Sequence, residues 1–192
     1  MASLSRALSF EVCATCDEQR RVESTSHPPH PPTPLPPDAA YTFMDPHGMP
    51  SGGDWALQRS GALRFEDTVD LFVNGIKVSR CDGNGISINN FNRNLTISGS
   101  ELVWIGDSAI AAWGSTEQGL GGGSVVLPKG VGIDGTGGNQ PRGTQIIGNV
   151  IHEFGLFQKQ SSAYFQAQAC QTSIVGNIFY NGPRAHINFN DQ

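Results

Sequence analysis

The stretch "GNVIHEFG" at 148–155 returns as "GNIFYNG" at 176–182, and each copy follows an aliphatic pair, Ile146-Ile147 and Ile174-Val175. A second pair of segments, "FVNGIKVSRCDGNGISI" (72–88) and "TISGSELVWIGDSAIAAW" (96–113), aligns at a constant offset of 24. It puts Val73 on Ile97, Gly75 on Gly99, Val78 on Leu102 and Ile86 on Ile110. In the first pair Ile147 falls on Val175, Asn149 on Asn177 and Val150 on Ile178, continuing to Leu156 on Ile187 with "PRA" as an insertion. A unit of 24 to 28 residues holding two or three short strands cannot bury its own apolar face, so each unit must stack on its neighbours.

A helical solenoid would need longer stretches of 3.6-residue periodicity, whereas "GISIN", "LTISG", "AYFQAQ" and "HINFN" alternate with period 2. The pattern predicts an all-β parallel β-helix of about four to five coils, with equivalent side chains stacked about 4.8 Å apart. Two inward ladders are expected: Val73, Ile97, Ile147 and Val175 in one, Ile86, Ile110, Leu156 and Ile187 in the other. Asn149 and Asn177 are expected to stack at a turn, where Asn tolerates left-handed dihedrals and its amide pairs with its neighbour.

Composition agrees with a turn-dense chain: 24 Gly and 12 Pro among 192 residues, with only 15% charged. The net charge of -5 comes without long runs of one sign, which argues against nucleic acid or an anionic membrane surface as partner. No apolar run approaches the roughly 18 residues of a membrane span, and the start lacks the apolar core of a signal peptide, so localisation stays unassigned. Residues 22–40, "VESTSHPPHPPTPLPPDAA", hold most of the prolines and favour extended polyproline II, so 1–40 is read as a disordered tail, 41–59 as a linker or cap, and 60–192 as the folded domain. Cys13, Cys16, His27 and His30 invite a zinc reading, but ten residues between Cys16 and His27 and two between the histidines are too short for a finger. The four cysteines leave the redox compartment open.

The stretches "NRNLTISGSELVWIGDSAIAAWG", "GIDGTGGNQPRGTQIIGNVIHEFGLFQKQSSAYFQAQ" and "FYNGPRAHINFND" resemble the right-handed parallel β-helix, or pectin-lyase-like, family, over roughly residues 60–192. The resemblance implies right-handed coiling and polysaccharide binding, lysis or hydrolysis on an open face. It also implies further coils, which make additional β-helix coils a candidate partner beside a polysaccharide or oligosaccharide. The alternative is a non-catalytic binding or structural module, or an inactive fragment of a longer β-helix protein.

A lyase needs a base beside carboxylates that hold a cation, and a hydrolase needs two carboxyl groups at a set separation. After the second ladder the alignment files Asn89, Trp113, Lys159 and Asn190 together, with Asp191 in the next file: an aromatic ring, a cation, a carboxylate and amides suited to sugar. Lys159 and Asp191 are the first catalytic candidates. Asp82 and Asp107, on adjacent coils, are candidates for a pair in which one pKa is raised or a cation such as calcium is held; both also suit turns. Arg184 is a candidate for binding a substrate carboxylate. Residues 116–143 hold ten glycines and are too long for a tight turn, so they are expected to wall the Trp113 file. His152-Glu153 become Tyr180-Asn181 in the next copy, so the repeat is read as architecture and the site is expected elsewhere.

Overall fold

The computed structural model describes residues 7–8, 11–13, 20–22, 60–114 and 139–190. All regular structure among them is strand, and the strand pairings are parallel. Three short strands come first, β1 (Ala7–Leu8), β2 (Glu11–Cys13) and β3 (Arg20–Val22), inside the segment expected to be a tail. The rest of 1–59, with the linker and the His pair of the zinc reading, lies outside the described residues.

From residue 61 the strands follow in groups. β4 (Gly61–Phe65) and β5 (Thr68–Val69) lead into β6 (Phe72–Asn74), β7 (Lys77–Cys81), β8 (Asn84–Asn89) and β9 (Asn92–Arg93). Next come β10 (Thr96–Ser98), β11 (Glu101–Ile105), β12 (Ile110–Trp113) and β13 (Pro141–Arg142). β14 (Gln145–Ile147), β15 (Val150–Phe154) and β16 (Tyr164–Ala167) precede β17 (Ser173–Val175), β18 (Ile178–Tyr180) and β19 (Ile187–Asn190). Corresponding members of each group share a sheet: β1-β6-β10-β14-β17, β2-β7-β11-β15-β18, β3-β4-β8-β12-β16-β19 and the small β5-β9-β13.

The 24-residue offset is therefore a pairing register: Val73 lies beside Ile97, Val78 beside Leu102 and Ile86 beside Ile110. The inward ladders need two corrections. Ile97 pairs with Ile146, which pairs with Ile174, while Ile147 and Val175 pair on the opposite face, 36% and 56% exposed. A one-residue slip moves a strand's whole apolar set to the other face. In the second ladder Tyr164, not Leu156, stands between Ile110 and Ile187. Ten positions separate Phe154 from Tyr164 where five separate Ile105 from Ile110, and Leu156 sits exposed in the extra turn. Leu63, Ile86, Ile110 and Tyr164 stack fully buried along this file.

Polar side chains satisfy the corners. Ser100 Oγ accepts from the Ile76 N–H at 3.2 Å, Asn149 Oδ1 from the Ser100 N–H at 3.0 Å, and Asn177 Oδ1 from the Asn149 N–H at 2.9 Å. Asn149 Nδ2 also donates to Ile97 O and Asn177 Oδ1, so the expected Asn pairing forms. The left-handed dihedral falls one residue earlier, on Gly75, Gly99, Gly148 and Gly176, with φ of 56 to 66°, where glycine carries no Cβ penalty. A second ladder runs from Ser60 O through Asn84 and Ser108 to the Ser162 N–H. Removing one rung strands buried donors and acceptors, so Asn149→Ala is predicted to cost about 3 kcal/mol, and Asn177→Ala at the exposed end about 1 kcal/mol. Urea midpoints with unchanged slopes would check the gradient; equal losses at both positions would contradict it.

Candidate functional site

The structure keeps part of the expected file and removes part of it. Asn89, Trp113, Ala167 and Asn190 lie in one register, so Ala167 occupies the place expected for Lys159. Asn89 and Trp113 are each 2% exposed, and Trp113 packs on Phe165 at 4.8 Å between ring centroids within a small apolar cluster completed by Ala111 and Ala167. A ring so buried offers no face to a ligand. Lys159 stands in the extra turn, its ammonium donating to Gly155 O at 3.1 Å and Leu156 O at 2.8 Å. Arg184 is exposed between β18 and β19. Asp191 and the long segment expected to wall the site, from residue 115 to 138, lie outside the described residues, as does the side chain of Asn190.

Asp82 and Asp107 do fall on adjacent units, with Gly106 packed so closely on the Asp82 carbonyl that no Cβ fits there. Their side chains meet different surroundings, Asp82 exposed and Asp107 fully buried. Burial pushes the Asp107 carboxyl up to about 6, while hydrogen bonds to Oδ1 from Ser161 Oγ and the Ser108 N–H, both 2.7 Å, pull the other way. Oδ2 is buried without a hydrogen-bond partner. Asp107 thus has a raised pKa, but its cause is burial, which the hydrogen bonds from Ser161 and Ser108 oppose, and not pairing with Asp82. Among the described residues no group of three or more His, Cys, Asp or Glu is placed to hold a metal ion.

A different face gathers exposed rings and charges. In the β2-β7-β11-β15-β18 sheet, Ser79, Val103, His152 and Tyr180 pair in one row, and the next pairing resumes at Cys81, Ile105 and Phe154. The skipped residues, Arg80, Trp104 and Glu153, with Asn181 beyond β18, all have left-handed backbones, φ 59, 55, 51 and 52°. This stacked bulge turns side chains outward that the alternation would otherwise bury. Asn181 suits that conformation, but an Arg, a Glu and above all a bulky Trp are costly there. Backbone strain kept at an exposed aromatic points to use.

Trp104 is 44% exposed with the Arg80 guanidinium 5.2 Å from its ring centroid, a cation–π contact. One row over, the His152 ring stacks on Tyr180 at 4.6 Å and 8° between planes. Glu101 receives Lys77 Nζ at 2.8 Å and lies 3.3 Å from His152 Nε2. The hydrogen bond from Lys77, then that from His152, holds the Glu101 carboxyl below its usual range, so it is ionised at neutral pH. Asn181 Nδ2 donates to Glu153 Oε1 at 2.6 Å. The face therefore offers ring surfaces flanked by oriented donors and acceptors. His152, Glu153, Tyr180 and Asn181 come from the two repeat copies that the sequence marks as architecture; the missed signal is that Trp104 and Glu153 stand on the neighbouring strands β11 and β15. No family model, curated protein or solved structure matches the chain, so the reading of this face rests on its own residues.

Proposed function

We propose that the chain is a right-handed parallel β-helix that binds oligosaccharide or polysaccharide on the outer face carrying Arg80, Trp104, His152, Glu153 and Tyr180. The recurrent visiting order of the parallel sheets supports coiling, and parallel strands joined by crossovers are right-handed in nearly all proteins, which supports the hand. The observation that carries the binding reading is Trp104, an exposed ring held in a disfavoured backbone conformation beside the Arg80 guanidinium. Sugars present apolar C–H faces that stack on such rings and hydroxyls that bond the neighbouring charges and amides.

Binding is favoured over cleavage because both described carboxylates of this face are already engaged, Glu101 by Lys77 and His152, and Glu153 by Asn181. Calorimetric titration of the full chain with oligosaccharides from uronate-rich and neutral polymers tests the reading. Tyr180→Ala should weaken the observed affinity about two- to twelve-fold, the worth of one aromatic contact. Heat-silent titrations with every saccharide, or an unchanged affinity in Tyr180→Ala, would count against this face.

A further inference from the structure

We infer that the Arg93 and Arg142 guanidiniums, on the neighbouring strands β9 and β13, form a binding site for a doubly charged tetrahedral oxyanion, the group presented by a phosphate or sulfate ester. In the β5-β9-β13 sheet Thr68 pairs with Asn92 and Asn92 with Pro141, and all three are buried. The next residues, Val69, Arg93 and Arg142, pair in the same way and are half-buried, so their side chains leave the sheet on its outer face. Cys170 continues the row as the partner of Arg142. This sheet is separate from the β2-β7-β11-β15-β18 face that carries Trp104.

Like charges directly opposite on paired strands destabilise a sheet, and here no carboxylate offsets them. Among the described residues neither guanidinium bonds an acidic side chain. Asp70, which follows Val69 at this corner, instead accepts from Asn94 Nδ2 at 2.9 Å. Burial, then the Arg142 charge, lower the pKa of Arg93 from its ordinary value, with Cys170 acting the other way. The folded chain therefore keeps an uncompensated, half-buried pair of cations, which an anion from solution would neutralise.

The pair is also held in place. Arg93 Nη1 donates to Asn92 O at 2.9 Å and Gln140 O at 2.6 Å, and its guanidinium carbon lies 4.1 Å from the Phe91 ring centroid. Gln140 stands two residues before Arg142, so the second bond draws the Arg93 head toward β13. Arg142 Nε donates to Gln171 Oε1 at 3.1 Å. Nε and Nη2 of Arg93 and both terminal nitrogens of Arg142 thus have no acceptor among the described residues. Each of these pairs of nitrogens is a planar fork, and side chains already fixed lose little freedom on binding. A carboxylate has two oxygens and satisfies one fork, whereas a tetrahedral oxyanion has oxygens and charge for both.

Calorimetric titration of the full chain with inorganic phosphate, sulfate and acetate, at one pH and matched ionic strength, tests the site. Phosphate, sulfate or both are expected to bind and acetate is not; the tighter of the two identifies the group that the natural ligand carries. Arg142→Gln is expected to weaken that binding about ten- to hundred-fold, the worth of charge-assisted hydrogen bonds. Without these ions the same variant should unfold at a midpoint no lower than the parent's, since it removes a repulsion, whereas a purely structural Arg142 would lower it. Phenylglyoxal, which modifies guanidiniums, reads the unaltered chain: the bound ion should slow its reaction at Arg93 and Arg142 and leave the exposed Arg80 unchanged. No binding of either tetrahedral ion, acetate bound as tightly, an affinity or a stability that contradicts these expectations in Arg142→Gln, or no protection of Arg93 and Arg142 would each overturn the site.

Discussion

Replacing Asp107 with Asn is expected to abolish a decline in stability of about 3 kcal/mol that the parent shows as pH rises from about 4 to about 6 and then holds. In the folded chain burial raises this carboxyl from 3.8 to about 6, so between those values the folded state keeps a proton that the unfolded chain has released. The group's contribution is therefore complete below 3.8 and is lost as pH climbs through about 6. Asn is neutral throughout, and its oxygen can keep the bonds from Ser161 and the Ser108 N–H. Glu101 works in the opposite sense, since its lowered pKa favours the fold above the usual carboxylate range, and this opposing effect remains in both proteins. Urea unfolding of parent and variant at intervals from pH 4 to pH 8 isolates the difference. Parallel pH profiles for the two proteins would sink the assignment.

Trp104→Asn is expected to leave the fold at least as stable as the parent, by up to about 1 kcal/mol, because Asn enters the left-handed region at lower cost than Trp. The lost contact with Arg80 is an exposed one, worth about 0.5 to 1 kcal/mol, and offsets part of that gain. A buried structural Trp would behave otherwise, since truncating a core aromatic costs about 3 to 5 kcal/mol. Trp113 is such a residue: Trp113→Ala should lose stability in that range, through its contact with Phe165. The two unfolding midpoints, measured side by side, separate a ring kept for packing from a ring kept for the surface. Loss of several kcal/mol in Trp104→Asn would remove the reason to treat its strained backbone as functional.

How far the sequence could be read follows from the kind of signal each feature left. The offset of 24 translated directly into strand register at Val73, Val78 and Ile86, and the Asn149–Asn177 stack formed, because side-chain ladders constrain residue type at fixed spacing. Facing was harder to read. Ile146 and Ile147 are adjacent and equally apolar, so nothing in the pair says which one points inward until the paired backbone does. The extra turn after Phe154 displaced Leu156 and Lys159 from their expected files and put Tyr164 and Ala167 there, as an insertion shifts every later register. The exposed face was the least legible. A left-handed Trp leaves no mark in the alphabet, since the residues that announce that conformation are Gly, Asn and Asp. The change of His152-Glu153 to Tyr180-Asn181 between copies reads as architecture, but a surface assembled from several neighbouring strands gains from such change.

The most direct test is the migration of the full chain through native gels containing uronate-rich or neutral polysaccharides, with Trp104→Asn run alongside. If the outer face of β7, β11, β15 and β18 binds saccharide, at least one polymer retards the parent, and Trp104→Asn migrates as it does in a polymer-free gel. Equal migration of the parent in every gel, or equal retardation of parent and variant, would contradict the account.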